Sequence, residues 1–267
     1  MSEANGITDT LNSLYGMEGK VAVVTGAGSG IGRATAQAFA SLGATSIILD
    51  KNKALAWETV ELCTGMAGTA ACHVVDMGDN RAIEKAFGQI VEEYRAIDIL
   101  VNNAALNIPA PSVDIDADTW QSVIDVNLSG VFFASRCAGR AMISNGGGEI
   151  VNVASVGGLS AGITGRGNAN ASYRAAKGGV VNLTRALAVE WASYNIRVNA
   201  VAPGYVHTPM VQRLTEDPQR LKVVEERVPL GRMATPQEIA WPITFLASRS
   251  AAMITGQILT VDGGLLA

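Results

Sequence analysis

Residues 21–50 read VAVVTGAGSGIGRATAQAFASLGATSIILD, and this stretch decides the fold. A β-branched run, VAVVT (21–25), passes through TGAGSGIG into the amphipathic IGRATAQAFASLG, and a second run, SIIL (46–49), is closed by Asp50. Strand, glycine turn, helix and strand in that order make a βαβ unit, which requires parallel pairing. Gly26, Gly28, Gly30 and Gly32 let the backbone turn sharply, approach a pyrophosphate without Cβ interference and aim helix N–H groups at its charge. Asp50, 24 residues after Gly26, stands where a carboxylate accepts hydrogen bonds from ribose hydroxyls and repels a 2′-phosphate. The pattern predicts a dinucleotide site selective for NAD, although Lys51 is placed to offset that repulsion. Asp76, after the third strand, is a candidate contact for adenine or simply a turn residue.

Outward from this unit the alternation continues, with HVV (73–75), ILV (99–101), EIVNV (149–153), RVNAV (197–201) and QILTV (257–261) separated by helical patterns. Seven parallel strands covered by helices on both faces are expected, as a doubly wound Rossmann sheet in a single α/β domain over residues 17–267. Residues 1–16 read as a frayed N-terminal tail, or as a tail that docks Leu11, Leu14 and Tyr15 on a neighbouring subunit. The rhythm breaks at 203–235, where two short helical patterns (208–215 and 218–227) suit a substrate loop, and a second such loop is expected at 156–172.

Composition agrees with a packed enzyme-sized domain. Of 267 residues, 48% are hydrophobic and 16% charged, which supports a sizeable core. The net charge of −4 gives no footprint for nucleic acid, and no segment approaches the apolar length of a membrane span. A cytoplasmic protein acting on a small-molecule substrate is expected. Cys63, Cys72 and Cys137 are too few and scattered for a disulfide framework and read as buried thiols.

The chemistry-bearing residues lie in the second half. ASYRAAKGGVVNLTRALAVEWA reads as one long helix with Tyr173 and Lys177 at i, i+4 on one face. Ser155 follows the fifth strand at the carboxyl edge of the sheet. Alone, the first pair is an ordinary surface contact and the serine an ordinary loop residue. Beside a dinucleotide loop, they supply a base for an alcohol proton, a cation to acidify that base and a donor to hold the substrate oxygen.

TGAGSGIG, NNAA (102–105), Asn127 in VNLSG, Ser155, YRAAK (173–177), PG (203–204) and VDGG (261–264), taken in order, resemble the signature of the short-chain dehydrogenase/reductase family over about residues 17–265. That resemblance implies Tyr173 as acid/base, Lys177 as the group that lowers its pKa and contacts the nicotinamide ribose, Ser155 as substrate-orienting donor and Asn127 as support for a proton path. It implies cofactor contacts from Gly26, Ser29, Gly30, Ile31, Gly32, Asp50, Asp76, Met77, Asn103, Ala104, Tyr173, Lys177, Pro203, Gly204, Val206 and Thr208. It also implies a homotetramer, with the helices around Asn127 and Tyr173 forming one interface and the VDGG end another. The family reading nearest to ASRCAGRAM and APGYVHTPM is NAD-linked oxidation of a polyol, sugar or similar secondary alcohol. The rivals are an NADPH-dependent 3-oxoacyl-(acyl-carrier-protein) reductase, opposed by Asp50 and by Ser29, and a catalytically silent nucleotide-sensing scaffold, opposed by the intact Asn127, Ser155, Tyr173 and Lys177 set.

The departure from the family pattern is the 18-residue gap from Ser155 to Tyr173, several more than is usual. Its extra length, GGLSAGITGRGNANA, is expected to bulge over the substrate, with Arg166, Asn168 and Asn170 as contacts, or else to be a tolerated surface insertion. His207, in the loop after Gly204, is a further substrate candidate, and His73 reads as strand. Asp114, Asp116, Asp118 and Asp125 mimic a calcium loop, but Thr119 occupies the position that needs glycine, so no metal is expected. Asp116 or Asp118 is expected to cap the helix carrying Asn127, and Trp57, Trp120, Trp191 and Trp241 to pack within helices.

Overall fold

The computed structural model describes residues 2–161 and 170–267, with the backbone alone for 2–8, 213 and 214. Its strands are β1 (Val21–Thr25), β2 (Thr45–Asp50), β3 (Thr69–Val74), β4 (Ile99–Asn102), β5 (Gly148–Val153), β6 (Ile196–Pro203) and β7 (Ile258–Val261). They form one parallel sheet in the order β3-β2-β1-β4-β5-β6-β7, as the βαβ rhythm predicts. The order reverses direction between β1 and β4, and the crevice at the carboxyl ends of these strands is where such sheets bind ligands. Only β3 departs appreciably from its expected span, because the small residues of TAAC pair with β2 ahead of the β-branched signal.

The helices are α1 (Ser2–Tyr15), α2 (Gly30–Ser41), α3 (Lys53–Cys63), α4 (Asn80–Tyr94), α5 (Ala117–Ile124), α6 (Gly130–Ser144), α7 (Ala171–Trp191), α8 (Gln212–Thr215), α9 (Pro218–Arg227) and α10 (Pro236–Leu246). Side chains of β1 alternate between two cores, as a period of two requires. Val21 and Val23 pack with Ile83 and Phe87 of α4, Met142 of α6 and Leu187 of α7. Ala22 and Val24 pack with Phe39 of α2 and Ile239 and Ile243 of α10 on the opposite face. Both faces being covered explains why the strand sequences are continuously apolar.

Three expectations need correction. Residues 2–15 are not a frayed tail: α1 packs against the 3-10 turn Arg249–Ala251, and the chain is anchored after it by Met17 N–H donating to Leu42 O at 2.8 Å. The signal was the spacing of Ile7, Leu11 and Leu14 ahead of a terminating Gly16. Trp191 is buried at 8% exposure, but Trp57, Trp120 and Trp241 are exposed on their helices, so periodicity found their helices and not their environment. Cys63 is buried, whereas Cys72 and Cys137 are only partly so, and all three thiols are free.

Candidate active site

The glycine turn joins β1 to α2 at the switch point, and its shape follows from close approaches. Gly26 has φ +62°, and a Cβ there would stand 2.7 Å from Ala104 Cα. A Cβ on Gly28 would lie 2.8 Å from Asp50 Oδ2, and one on Gly32 2.5 Å from Asn103 Nδ2. Asn103 Nδ2 donates to Thr25 O at 2.9 Å and Gly26 O at 3.0 Å, so the NNAA segment after β4 fastens the turn from the side. Ser29 is the N-cap of α2, yet its side chain makes no capping bond and the first turn carries no acidic residue. A long helix with no side-chain cap at its N-terminus, behind a turn that side chains would fill, fits a dinucleotide pyrophosphate. Gly26→Ala combines a left-handed backbone with a steric clash; the expected result is a loss of about 1–3 kcal/mol in urea-unfolding stability together with impaired affinity for a dinucleotide, whether NAD or NADP, in calorimetry.

Asp50 ends β2 with its carboxylate held by two backbone donors, Gly28 N–H to Oδ2 and Asn52 N–H to Oδ1, each at 2.9 Å. Asp76 Oδ1 accepts from Gly78 N–H at 2.8 Å. Both acids border one cavity of about 1210 Å³ that runs from the glycine turn to Tyr173.

At the far end of this cavity three elements converge. Ser155, just beyond β5, caps a 3-10 turn by accepting from Gly157 N–H at 3.0 Å, and its hydroxyl stands close enough to that of Tyr173 to favour the phenolate. Tyr173 lies in the first turn of α7, and Lys177 one turn on is 1% exposed, with Nζ donating to Val153 O at 2.6 Å and 5.7 Å from the Tyr173 ring centroid. Burial pushes the Tyr173 phenol above its ordinary value, with the Ser155 hydroxyl pulling the other way, and lowers Lys177 to about 8. In the chain alone, therefore, desolvation outweighs the expected lowering of the tyrosine.

Asn127 is fully buried in a π turn, Asp125–Ser129, between α5 and α6. The wider turn points its amide across to the segment after β4: Nδ2 donates to Leu106 O at 2.7 Å and Val123 O at 2.8 Å, and Oδ1 accepts from Leu106 N–H at 3.3 Å. Asp116 caps α5 by accepting from Thr119 N–H at 2.6 Å, as its position before the helix implied.

Gly26, Ser29, Gly30, Ile31, Asp50, Asp76, Met77, Asn103, Ala104, Ser155, Asn170, Tyr173, Lys177, Pro203, Gly204, Val206 and Thr208 all line the cavity. Gly32 and Asn127 stand behind its wall, shaping it through Asn103 and Leu106. His207 is a correction: its N–H donates to Ala234 O at 2.9 Å and its ring is exposed, while neighbouring Val206 and Thr208 take the cavity positions. Arg166 and Asn168 lie outside the described residues. The cavity also recruits Asn107, Arg174, Tyr205, Gln212, Glu216 and Arg220, which sequence reasoning missed. Arg174 carried a usable signal, being next to Tyr173 in a first turn where an arginine gains nothing from the helix dipole.

A family model described as enoyl-(acyl carrier protein) reductase matches residues 26–266. A 3-oxoacyl-(acyl-carrier-protein) reductase of Thermotoga maritima is 42% identical, covering 94% of this chain and 99% of that protein. The L-tagatose-forming galactitol 2-dehydrogenase of Cereibacter sphaeroides is likewise 42% identical, over 94% of this chain and 97% of its own. A crystal structure from Beutenbergia cavernae, described provisionally as an NAD(P)-dependent gluconate 5-dehydrogenase with NADP bound at low occupancy, superposes with a TM-score of 0.88. It is 39% identical, over 94% of this chain and 98% of that one.

Proposed function

Because this chain belongs to the short-chain dehydrogenase/reductase family, we propose that it oxidises a polyol, sugar or related secondary alcohol to the ketone with NAD. As a member of the family it is an oxidoreductase that acts on CH–OH groups with a nicotinamide cofactor. The observation that carries the alcohol-oxidising chemistry is that Ser155 and Tyr173, with Lys177 behind them, face the same cavity as the glycine turn. The galactitol dehydrogenase and gluconate dehydrogenase relatives support a hydroxylated substrate.

In this reading the substrate oxygen sits between the two hydroxyls. Ser155 donates to it and fixes the carbinol carbon, while Tyr173 takes the alcohol proton. Bound oxidised nicotinamide supplies the hydride acceptor and a positive charge that favours the phenolate. Lys177, charged below about pH 8, favours the same phenolate through a buried, weakly screened interaction. Asn127 holds the Leu106 backbone beside the site and in that way positions the wall rather than touching substrate. The substrate loops are 203–235, which returns over the glycine turn at Thr208, and the segment between Ser155 and Tyr173. Purified protein screened with NAD and NADP against alditols, aldonates, secondary alcohols and 3-hydroxyacyl esters, followed by reduced-nicotinamide absorbance, tests the reading; activity confined to acyl thioesters overturns it.

NAD is proposed over NADP because Asp50 is locked by Gly28 and Asn52 at the end of β2, where it meets the adenosine ribose. NADP in the Beutenbergia structure favours a second reading of the cofactor, in which Lys51 receives the extra phosphate, and the Thermotoga relative favours a second reading of the substrate, a 3-oxoacyl thioester. Asp50→Ala should raise KM for NAD by about tenfold and improve kcat/KM for NADP by a similar factor, as expected for one charge-assisted acceptor and one repulsion removed. Wild-type preference for NADP would refute the assignment. A homotetramer is proposed with it, since Val189, Trp241 and Met253 expose large apolar surface, and light scattering checks the mass.

A further inference from the structure

The backbone of the glycine turn is fastened from behind by side chains that do not line the cavity. Arg33, on α2, directs Nε to Thr59 Oγ1 at 3.1 Å and shares it with Gly28 O at the same distance, to which Nη2 also donates. Its outer nitrogen, Nη1, pairs with Glu58 at 2.7 Å on the exposed side. Thr59, on α3, is fully buried, and its hydroxyl donates to Ala27 O at 2.9 Å, with Leu55 O of the same helix as the longer alternative at 3.1 Å. The Ala27–Gly28 peptide is trans, so its C=O and N–H point in opposite directions. Thr59 holds the oxygen, and the N–H aimed in this way is the donor to Asp50 Oδ2 at 2.9 Å.

Every donor in this line runs the same way: Arg33 to Thr59, Thr59 to Ala27 O, and Gly28 N–H to Asp50. Hydrogen bonds in line polarise one another, and the guanidinium at one end and the carboxylate at the other strengthen them further. Asn52 starts α3 directly after Asp50, and Leu55 and Thr59 then face the turn one helical step apart; a Cβ on Gly28 would stand 2.9 Å from Leu55 Cβ. A valine would fill the same space as Thr59, so what the hydroxyl adds is direction. Each Asp50 oxygen accepts one backbone N–H, from Gly28 and from Asn52, which leaves further acceptor capacity on the cavity side.

We propose that Thr59 is a positioning residue for the cofactor: through the Ala27–Gly28 peptide it fixes the rotation of the Asp50 carboxylate, and so sets how firmly the adenosine ribose is held. Arg33 supports it by orienting the threonine hydroxyl. The inference deepens the NAD reading above and rests on it, because Asp50 must be the ribose acceptor.

The test is calorimetric titration of NADH and of NADPH, without any alcohol or ketone, into the wild type, Thr59→Val, Thr59→Ser, Asp50→Ala and the double variant carrying Thr59→Val and Asp50→Ala. Thr59→Val should weaken NADH by about 5–20-fold and NADPH by less than about threefold, because only the unphosphorylated ribose is received by Asp50. Thr59→Ser keeps the hydroxyl and should stay within about threefold of the wild type for both. In the Asp50→Ala background the same valine change should cost NADH no more than about twofold, since its effect passes through the missing carboxylate. Should Thr59→Val fail to fold, Arg33→Gln, at a partly exposed position, removes the first donor of the line and should shift the NADH-to-NADPH ratio in the same direction. Equal losses for the two cofactors, or the same loss with and without Asp50, would make Thr59 a packing residue and overturn the proposal while leaving Asp50 as the ribose acceptor. Wild-type preference for NADPH, or unchanged NADH affinity in Asp50→Ala, would overturn the Asp50 assignment and this inference with it.

Discussion

Tyr173→Phe is expected to lower kcat by about 10²–10⁴-fold while leaving the dissociation constant for NAD within about twofold. The ring, and with it the packing at the start of α7, is retained, and only the oxygen beside the Ser155 hydroxyl is removed. No other described side chain at the Ser155 end of the cavity both reaches that hydroxyl and titrates, so the loss should not be made good by a neighbour. Because burial holds the phenol above its ordinary value in the chain alone, wild-type alcohol oxidation should also climb as pH rises toward the alkaline range, and ketone reduction should fall. Stopped-flow absorbance of the reduced cofactor measures both. Retention of more than about a tenth of the wild-type rate by Tyr173→Phe would remove it as the base, and a pH-independent oxidation rate would remove proton transfer from the slow step.

The extent to which this site could be read from sequence depended on how local each determinant is. The glycine turn, Asp50 and the Tyr173–Lys177 pair are set by i, i+n spacing within one βαβ unit or one helix, and the structure lines all of them on one cavity. Asn127 was found by motif, but the π turn that aims its amide at Leu106 is a backbone register that no side-chain period reveals. His207 failed because an exposed loop segment gives no indication of which residues face inward, and its two neighbours took the inward places. Asn107 follows β4, whereas Tyr205 and Arg220, the latter in α9, belong to the connection after β6, and they meet only because the sheet order brings the ends of β4 and β6 to either side of β5. The exposed Trp57, Trp120 and Trp241 show the same limit, since a helical period fixes a face and not what covers it.

Replacing Lys177 with methionine separates what this residue does for chemistry from what it costs the fold. The ammonium is 1% exposed, and burial lowers its pKa from 10.5 to about 8. Below pH 8 both folded and unfolded chains carry the proton and the penalty for burying the charge is full and constant. Between about 8 and 10.5 the unfolded chain binds more protons than the folded one, so wild-type stability gains with rising pH, and above 10.5 the penalty is gone. A gap of this size corresponds to roughly 3 kcal/mol. Methionine has a similar length and no titration, so Lys177→Met lacks this gain, and its stability relative to wild type should fall by up to about 3 kcal/mol from pH 8 to pH 10.5. Loss of the donor to Val153 O adds a penalty of about 1–3 kcal/mol that does not vary with pH, and titrating groups other than the adjacent Tyr173 cancel in the difference. Urea unfolding of both proteins across that range measures the slope. Below about pH 8 activity should drop by about 10²-fold or more, because the Tyr173 phenolate loses its buried cation, and the deficit should shrink at higher pH as wild-type Lys177 sheds its proton. A pH-independent stability difference would mean that Lys177 keeps an ordinary pKa in the fold. An unchanged rate would mean that the cation does not act on Tyr173.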